Sequence, residues 1–382
     1  MKRLIMFLMI AGAAFPQNPV PQAENFVSPE VLGDRRVTFR LLAPKASEVV
    51  LWGDWMQGQN REKLVKATNG VWSVTVGPFE PDIYTYTFSL DGVAMPDPRN
   101  NQVKPGARTP GSSVLEIPGE HLLYDERDVP HGKVEACWYA SPSIGGTRRF
   151  NVYTPPDYGR DPSARYPVLY LLHGNGDTEG EWPWYGRANF IMDNLIAEAK
   201  VRPMLIIMPY GHTIPPNSLT PETRPRNTQL MEEDLLKNII PAVESRYRVS
   251  PVPQDRAIAG LSMGGGQAIN IGLNNLGVFG WIGVFSAGVN GGGAARDSRD
   301  FEAKLNAVLA DPASTNKKLN LLWIGCGKDD AAMSSAEQLA GILDRNKVRY
   351  TFRKTEGAHT MRNWRRYLAE IAPLLFRLNS TP

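Results

Sequence analysis

From about Val129 onward the chain repeats one pattern, in which short and nearly continuous apolar runs alternate with segments of helical period. Strand candidates are Val134–Ala140, Arg149–Thr154, Val168–Leu172, Met204–Met208, Ala257–Ala259, Trp281–Phe285, Asn320–Ile324 and Arg349–Arg353. Helical patterns lie between and after them at Ala188–Ala199, Met231–Arg246, Gly265–Leu273, Asp300–Ala310, Ser334–Asn346 and Trp364–Phe376. Strands without a polar face must be covered on both sides, so the pattern predicts an α/β unit built on a mostly parallel sheet between layers of helices. In such sheets chemistry gathers at the carboxyl ends of the strands. Those ends are where the candidate functional residues are sought.

Before that boundary the pattern is different. Val37–Leu41, Val49–Trp52 and Tyr84–Phe88 alternate apolar and polar residues, separated by turn pairs such as Asn69-Gly70 and Asp91-Gly92. This predicts a small all-β, immunoglobulin-like sandwich over residues 24–94. The stretch 95–128 is rich in Pro, Gly, Asn and Ser and has no helical period, which predicts an extended linker. The α/β unit then occupies 129–382. Two units suit a chain of 382 residues, which exceeds the usual size of one core.

The start, Met1-Lys2-Arg3 followed by the apolar run Leu4–Ala14 with small residues near its end, has the pattern of a secretory signal over residues 1–17. An exported protein, periplasmic or secreted, is expected. The run falls well short of the roughly 20 apolar residues of a membrane span, and no later segment reaches that length. A net charge of +3 from well-mixed signs gives no basic stripe, so nucleic acid is not an expected partner. Only Cys137 and Cys326 are present, too few for a disulfide framework or a cysteine-rich metal site. No metal and no cofactor are expected.

The segment Arg256–Gly265 runs from a strand into a helix through Gly260-Leu261-Ser262-Met263-Gly264, a GxSxG turn. Such a turn lifts a serine hydroxyl above the sheet, and its glycines supply the missing side chains that the sharp reversal needs. A serine is a weak nucleophile until a base takes its proton. His359 is the only histidine after Ser262 and directly follows a strand candidate, which makes it the expected base. The orienting acid should lie between the two, after a strand. Lys328-Asp329-Asp330 offers two adjacent carboxylates, between which the residues alone do not choose. Developing negative charge needs backbone donors: the N–H of Met263, and a second from the strand end Leu172-His173-Gly174-Asn175, where Asn175 is chosen. His173 reads as shaping its loop by a hydrogen bond. Aromatic clusters at Trp182–Tyr185 and Tyr210–His212 follow strand ends, and Trp182 and His212 are the expected substrate contacts.

Taken together, VPHG at 129–132, VYTPPDY at 152–158, LLHGNGD at 171–177, IMDNLIAEAK at 191–200, AGLSMGGGQ at 259–267 and GCGKDD at 325–330 resemble the feruloyl esterase and esterase D branch of carbohydrate esterase family one, which includes enterochelin esterase-like proteins. The resemblance implies an α/β-hydrolase fold, selects Asp330 as the acid closing a GxxD pattern from Gly327, and supports Asn175 after the HG pair. It also implies a feruloyl esterase acting on acylated plant polysaccharide. The alternatives are an acetyl xylan or siderophore esterase, or a carbohydrate-binding protein whose hydrolase domain is inactive. The sandwich resembles early-set, glycogen-binding-like modules through Phe39–Pro44 and Leu51–Trp55. Its Trp52 and Trp55 would serve either as a glycan platform or as core and interface residues.

Overall fold

Alternation of side chains along a strand lets one sheet face a core with one set of residues and a second surface with the other. The computed structural model describes residues 25–377 apart from 57, 59, 121 and 290–297, and the proposed export signal lies outside the described residues. Its first unit is a sandwich of two sheets. The first contains β1 (Glu30–Val31), β2 (Val37–Leu42), β6 (Val71–Val76) and β5 (Val65–Lys66), in that order. The second runs β4 (Glu62–Lys63), β3 (Val49–Gly53), β7 (Asp82–Leu90), β10 (Ser112–Ile117), β9 (Val103–Lys104), with β8 (Val93–Met95) paired to β7. Phe39, Leu41, Val49, Leu51, Tyr84, Tyr86 and Phe88 fill the space between them. Trp55 packs among Phe39, Phe79 and Tyr84, so it is a core tryptophan.

The stretch expected as a linker departs from that expectation. Ser112–Ile117 alternates half-buried and buried residues and pairs antiparallel with β7, and Val103–Lys104 pairs with it in turn. Proline and glycine around these strands masked a short period-2 run that long-range pairing stabilises.

The second unit is an 8-stranded sheet in the order β11 (Lys133–Ala140), β12 (Thr147–Thr154), β14 (Leu205–Pro209), β13 (Val168–Leu172), β15 (Arg256–Leu261), β16 (Trp281–Phe285), β17 (Leu321–Gly327), β18 (Thr351–Thr355). From β14 to β18 all pairings are parallel, whereas β11, β12 and β14 are joined antiparallel. The central strands β13, β14, β15 and β16 are buried along their whole length, as helices on both faces require. The chain after β13 turns towards β14 and the chain after β15 turns towards β16, so the loops at their carboxyl ends diverge and open a crevice. The helix expected over Met231–Arg246 begins earlier, at Arg224, and holds a wide π turn at Leu235–Ile239. Pro241 explains it, since its ring removes one helical N–H and crowds the preceding turn.

The outer face of the sandwich's second sheet is seated on this unit. Ile83 and Val114 join the apolar cluster of the α/β unit. Asp82 receives Arg365 at 2.7 Å and Arg362 at 3.1 Å, and the buried Arg365 guanidinium also donates to the Tyr185 carbonyl at 3.1 Å. Arg187 and Glu116 form a two-bonded pair across the same junction. Removing one partner of a buried ion pair costs about 3–5 kcal/mol, so the two units are held in a fixed relation.

At the end of β15 the chain reverses into the helix Met263–Asn274 through Ser262, whose φ of 53° lies in the left-handed region. The reversal is possible because Gly264 is pressed onto the end of β13. A methyl group there would lie 2.6 Å from the His173 carbonyl oxygen and 2.7 Å from the Leu172 backbone. Gly264→Ala should therefore destabilise the protein by about 1–3 kcal/mol, the usual range for overpacking against backbone. Gly277→Ala, where a methyl meets nothing within 4 Å, should be near neutral in the same urea titration. Equal midpoints for the two variants would contradict the packing argument.

Candidate functional site

A cavity of about 190 Å³ opens where the carboxyl ends of β13 and β15 face the sandwich. Ser262, Gly174, Asn175 and Leu261 form its floor, His359, Thr360, Met361 and Trp364 one side, and Trp52, Asp54 and Thr85 of the sandwich another. Ser262 is held at the elbow by its N–H to the Phe285 carbonyl (2.8 Å), while its carbonyl accepts the N–H of Gly266 (3.0 Å) and starts the helix. The helix amino terminus thereby points its partial positive charge at the serine.

His359 lies on the turn between β18 and the helix Met361–Ile371. Its Nδ1 is 2.8 Å from Asp330 Oδ1, and its ring stands edge-on to Trp364, whose indole N–H is anchored on Ser286 (2.8 Å). Asp330 is buried, and its Oδ1 also accepts the N–H of Ala332 at 2.8 Å. Burial alone would raise the Asp330 carboxyl, but the hydrogen bond and charge of His359, helped by Ser286 and Ala332, outweigh it and hold it below the ordinary range. Asp329 is exposed and turns away, its N–H bonded to the Gly357 carbonyl at 3.2 Å. Of the two adjacent carboxylates, Asp330 is the one that meets His359.

The loop after β13 is braced from three directions. His173 is buried, donates from Nδ1 to the Gly174 carbonyl (2.8 Å) and accepts the Gly211 N–H at Nε2 (2.8 Å), the neutral form that its burial favours. His212 accepts the Gly176 N–H at Nε2 (3.2 Å). Burial, with His173 and Arg108 adding to it, pushes His212 down to about 3, so it stays a neutral acceptor. From the sandwich side, Ala107 donates its N–H to the Gly176 carbonyl (2.8 Å), Arg108 grips the Asn175 side-chain oxygen, and Lys104 pairs with Asp177 (2.8 Å) and Glu181 (3.1 Å).

The two expected substrate contacts are placed otherwise than the sequence suggested. Trp182 is 1% exposed, donates its indole N–H to the Leu172 carbonyl (3.1 Å) and packs edge-on to Phe285, so it is a plug beneath the loop rather than part of the cavity wall. His212 is likewise 1% exposed and acts on the loop through Gly176. The cavity is instead faced by Tyr185, Trp364 and Trp52. The sequence offered Trp52 either as a glycan platform or as a core or interface residue and did not single out Asp54, which stands two residues further on, just beyond β3. The Met263 N–H follows Ser262 at the helix start, and Asn175 lies on the cavity floor.

Residues 141–375 match the family model described as "Putative esterase", and the chain belongs to this esterase family, with an α/β-hydrolase fold. Among curated relatives, an endo-1,4-beta-xylanase/feruloyl esterase of Xylanibacter ruminicola is 31% identical over 376 residues, covering 95% of this chain and 48% of the relative. Endo-1,4-beta-xylanase Y of Acetivibrio thermocellus is 29% identical over 174 residues, 40% of this chain and 15% of the relative. The chain thus spans about half the length of the first of these relatives and far less of the second. Among solved structures, the ferulic acid esterase AmCE1/Fae1A of Anaeromyces mucronatus superimposes with a TM-score of 0.58 at 22% identity, covering 69% of this chain and 98% of that one. The enterochelin esterase of Shigella flexneri superimposes with a TM-score of 0.66 at 17% identity, covering 91% and 95%. At these identities the two structures speak to the fold alone.

The Lys104 cluster has a measurable consequence. Burial and the charge of Asp177 push the Glu181 carboxyl up to about 8, against the pull of Lys104. An unfolded glutamate ionises near about 4.3. For an acid whose folded value is raised, stability is fully present below the unfolded value and falls as pH climbs towards the folded one. Glu181→Gln removes that loss, so its melting temperature relative to wild type should climb between about pH 4.3 and 8 and then level off. A difference that stays flat across that window would contradict the assignment.

Proposed function

We propose that this protein is an exported serine ester hydrolase that releases hydroxycinnamic acids, above all ferulate, from esters on plant cell-wall polysaccharide. The observation that carries the reading is that the elbow serine, Ser262, and His359 line one cavity, with the buried Asp330 bonded to the histidine behind it. With Nδ1 turned to Asp330, His359 keeps Nε2 for the serine proton. Ser262 Oγ would attack the ester carbonyl carbon as His359 takes its proton, with the oxyanion received by the N–H groups of Met263 and Asn175. The alcohol leaves with the proton from His359, and a water then attacks the acyl-serine through the same base. Asp330 orients the imidazole and stabilises its charged form. The bracing of the 173–177 loop by His173, His212 and Arg108 fits the need for a donor that does not reorganise during the reaction.

Support for the acyl group comes from the aromatic cavity walls and from the relative named as a xylanase and feruloyl esterase. Membership of the esterase family and the intact serine, histidine and carboxylate weigh against the binding-only alternative. A second reading, a siderophore esterase, draws on likeness of fold: the superposition on enterochelin esterase extends over 91% of this chain, as the match to the xylanase and feruloyl esterase extends over 95%.

Purified protein should be assayed on methyl ferulate, feruloylated arabinoxylan, acetylated xylan and a catecholate trilactone. The highest kcat/KM should fall on the feruloyl esters; a folded protein preferring the trilactone would favour the second reading, and release from none would end the esterase assignment. Ser262→Ala should lower kcat by several orders of magnitude without unfolding. Asp330→Asn should lower it by about 10⁴-fold, as loss of the orienting carboxylate does elsewhere. Asp329→Asn should change it little, and equal effects from the two would remove Asp330 from the triad.

A further inference from the structure

Outside the groups that the proposed reaction uses, two carboxylates that line the cavity keep unspent hydrogen-bonding capacity: Glu181, which lies 3.1 Å from the Lys104 ammonium, and Asp54, which comes from the sandwich. Trp52 on β3 and Asp54 just beyond it share the outer face of the second sheet, and Thr85 of β7 stands beside them, its carbonyl accepting the Asp54 N–H at 3.0 Å. Asp54 Oδ2 accepts the Tyr185 hydroxyl (2.8 Å) and the Thr85 hydroxyl (3.1 Å). Asp54 Oδ1 is buried and has no hydrogen-bond partner among the described residues. Two hydroxyls from different units therefore fix the carboxyl group against the cavity while half of its capacity stays open. Among the described residues no cation pairs with it at salt-bridge distance, and its burial raises the carboxyl above its ordinary range despite Tyr185 and Thr85. Such a group suits a neutral hydroxyl better than a charged ligand.

The space around it limits what that hydroxyl can belong to. At about 190 Å³ the cavity is smaller than the 300–1,000 Å³ of pockets for drug-sized ligands, so it takes one ring and not a length of polymer. On the sandwich side the half-buried Trp52 offers flat aromatic surface, whereas the Tyr185 ring is buried with Lys104 and Arg365 over it.

We propose that Asp54 is a specificity-determining residue that hydrogen-bonds a free phenolic hydroxyl on the acyl ring, with the ring lodged against Trp52. The sandwich then reads the far end of the acyl group while the α/β unit acts on the ester. This rests on the feruloyl esterase reading above. A site that hydrogen-bonds a hydroxyl rejects an analogue lacking it, because the buried polar group is left unpaired.

The test compares methyl ferulate with methyl 3,4-dimethoxycinnamate, which differ only by methylation of that hydroxyl. Wild type should favour ferulate at least about tenfold in kcat/KM, the lower end of what one buried hydrogen bond discriminates. Asp54→Ala should bring the ratio close to one by losing rate on ferulate, and Asp54→Asn, which keeps an acceptor, should restore part of it. The ratio is read within one preparation, so it does not depend on how much of a variant is folded. A wild type that cleaves both esters equally, or an unchanged ratio in Asp54→Ala, overturns the role of Asp54 and leaves the esterase reading standing. A wild type that cleaves neither ester removes the feruloyl reading, and this proposal with it.

Discussion

The constraint on which the site depends is the close approach of the helix Met263–Asn274 to the end of β13. Gly264 has no room for a side chain against Leu172 and His173, and Gly260 none against Gly264, where a methyl would lie 2.5 Å from backbone. Only with both glycines in place can the chain reverse within one residue and hold Ser262 at a positive φ. That strained residue stands above the sheet at the helix amino terminus. The same contact brings the loop after β13 beside the serine: a methyl on Gly174 would lie 3.6 Å from the Ser262 Cβ. Strand, elbow and neighbouring loop are thus one packing unit, and the chemistry assigned to the site needs all of its parts.

A second layer of order comes from the sandwich. Asp82 and Arg365 join the units through a buried pair, and the end of β9 and the segment after it reach over the 173–177 loop with Lys104, Ala107 and Arg108. The buried Asp82–Arg365 pair would be costly to break, so the sandwich is a wall of the cavity and a brace for the loop. It is not a module hung on a flexible tether. This explains how Trp52, Asp54 and Thr85, far from Ser262 in sequence, come to line the same cavity.

What the sequence made legible was local. The GxSxG turn, the single later histidine and the alternation of apolar runs with helical segments each depend on residues close in the chain, and Ser262, His359 and the parallel core of the sheet stand where those signals placed them. The residues left Asp329 and Asp330 open because neighbours on a turn differ only in direction; the family pattern pointed to Asp330, and the turn at Gly327–Asp330 buries that carboxylate beside His359 and leaves Asp329 in solvent. Trp182 and His212 were misread for a related reason. Nearness to a strand end tells which loop a side chain sits on and not whether it points up to the cavity or down into the core. The strand Ser112–Ile117 was missed because its stability comes from pairing with β7, which turn-rich flanks conceal.

The central claim is that Ser262 is a nucleophile activated by His359 and Asp330. Its most direct test is exposure of the folded protein to a fluorophosphonate, followed by intact-mass and peptide mass spectrometry. The account predicts one adduct per chain, on the peptide carrying Ser262, with labelling slowed by orders of magnitude in His359→Ala. Folded protein that takes up no adduct, or takes it up at another residue, would contradict it.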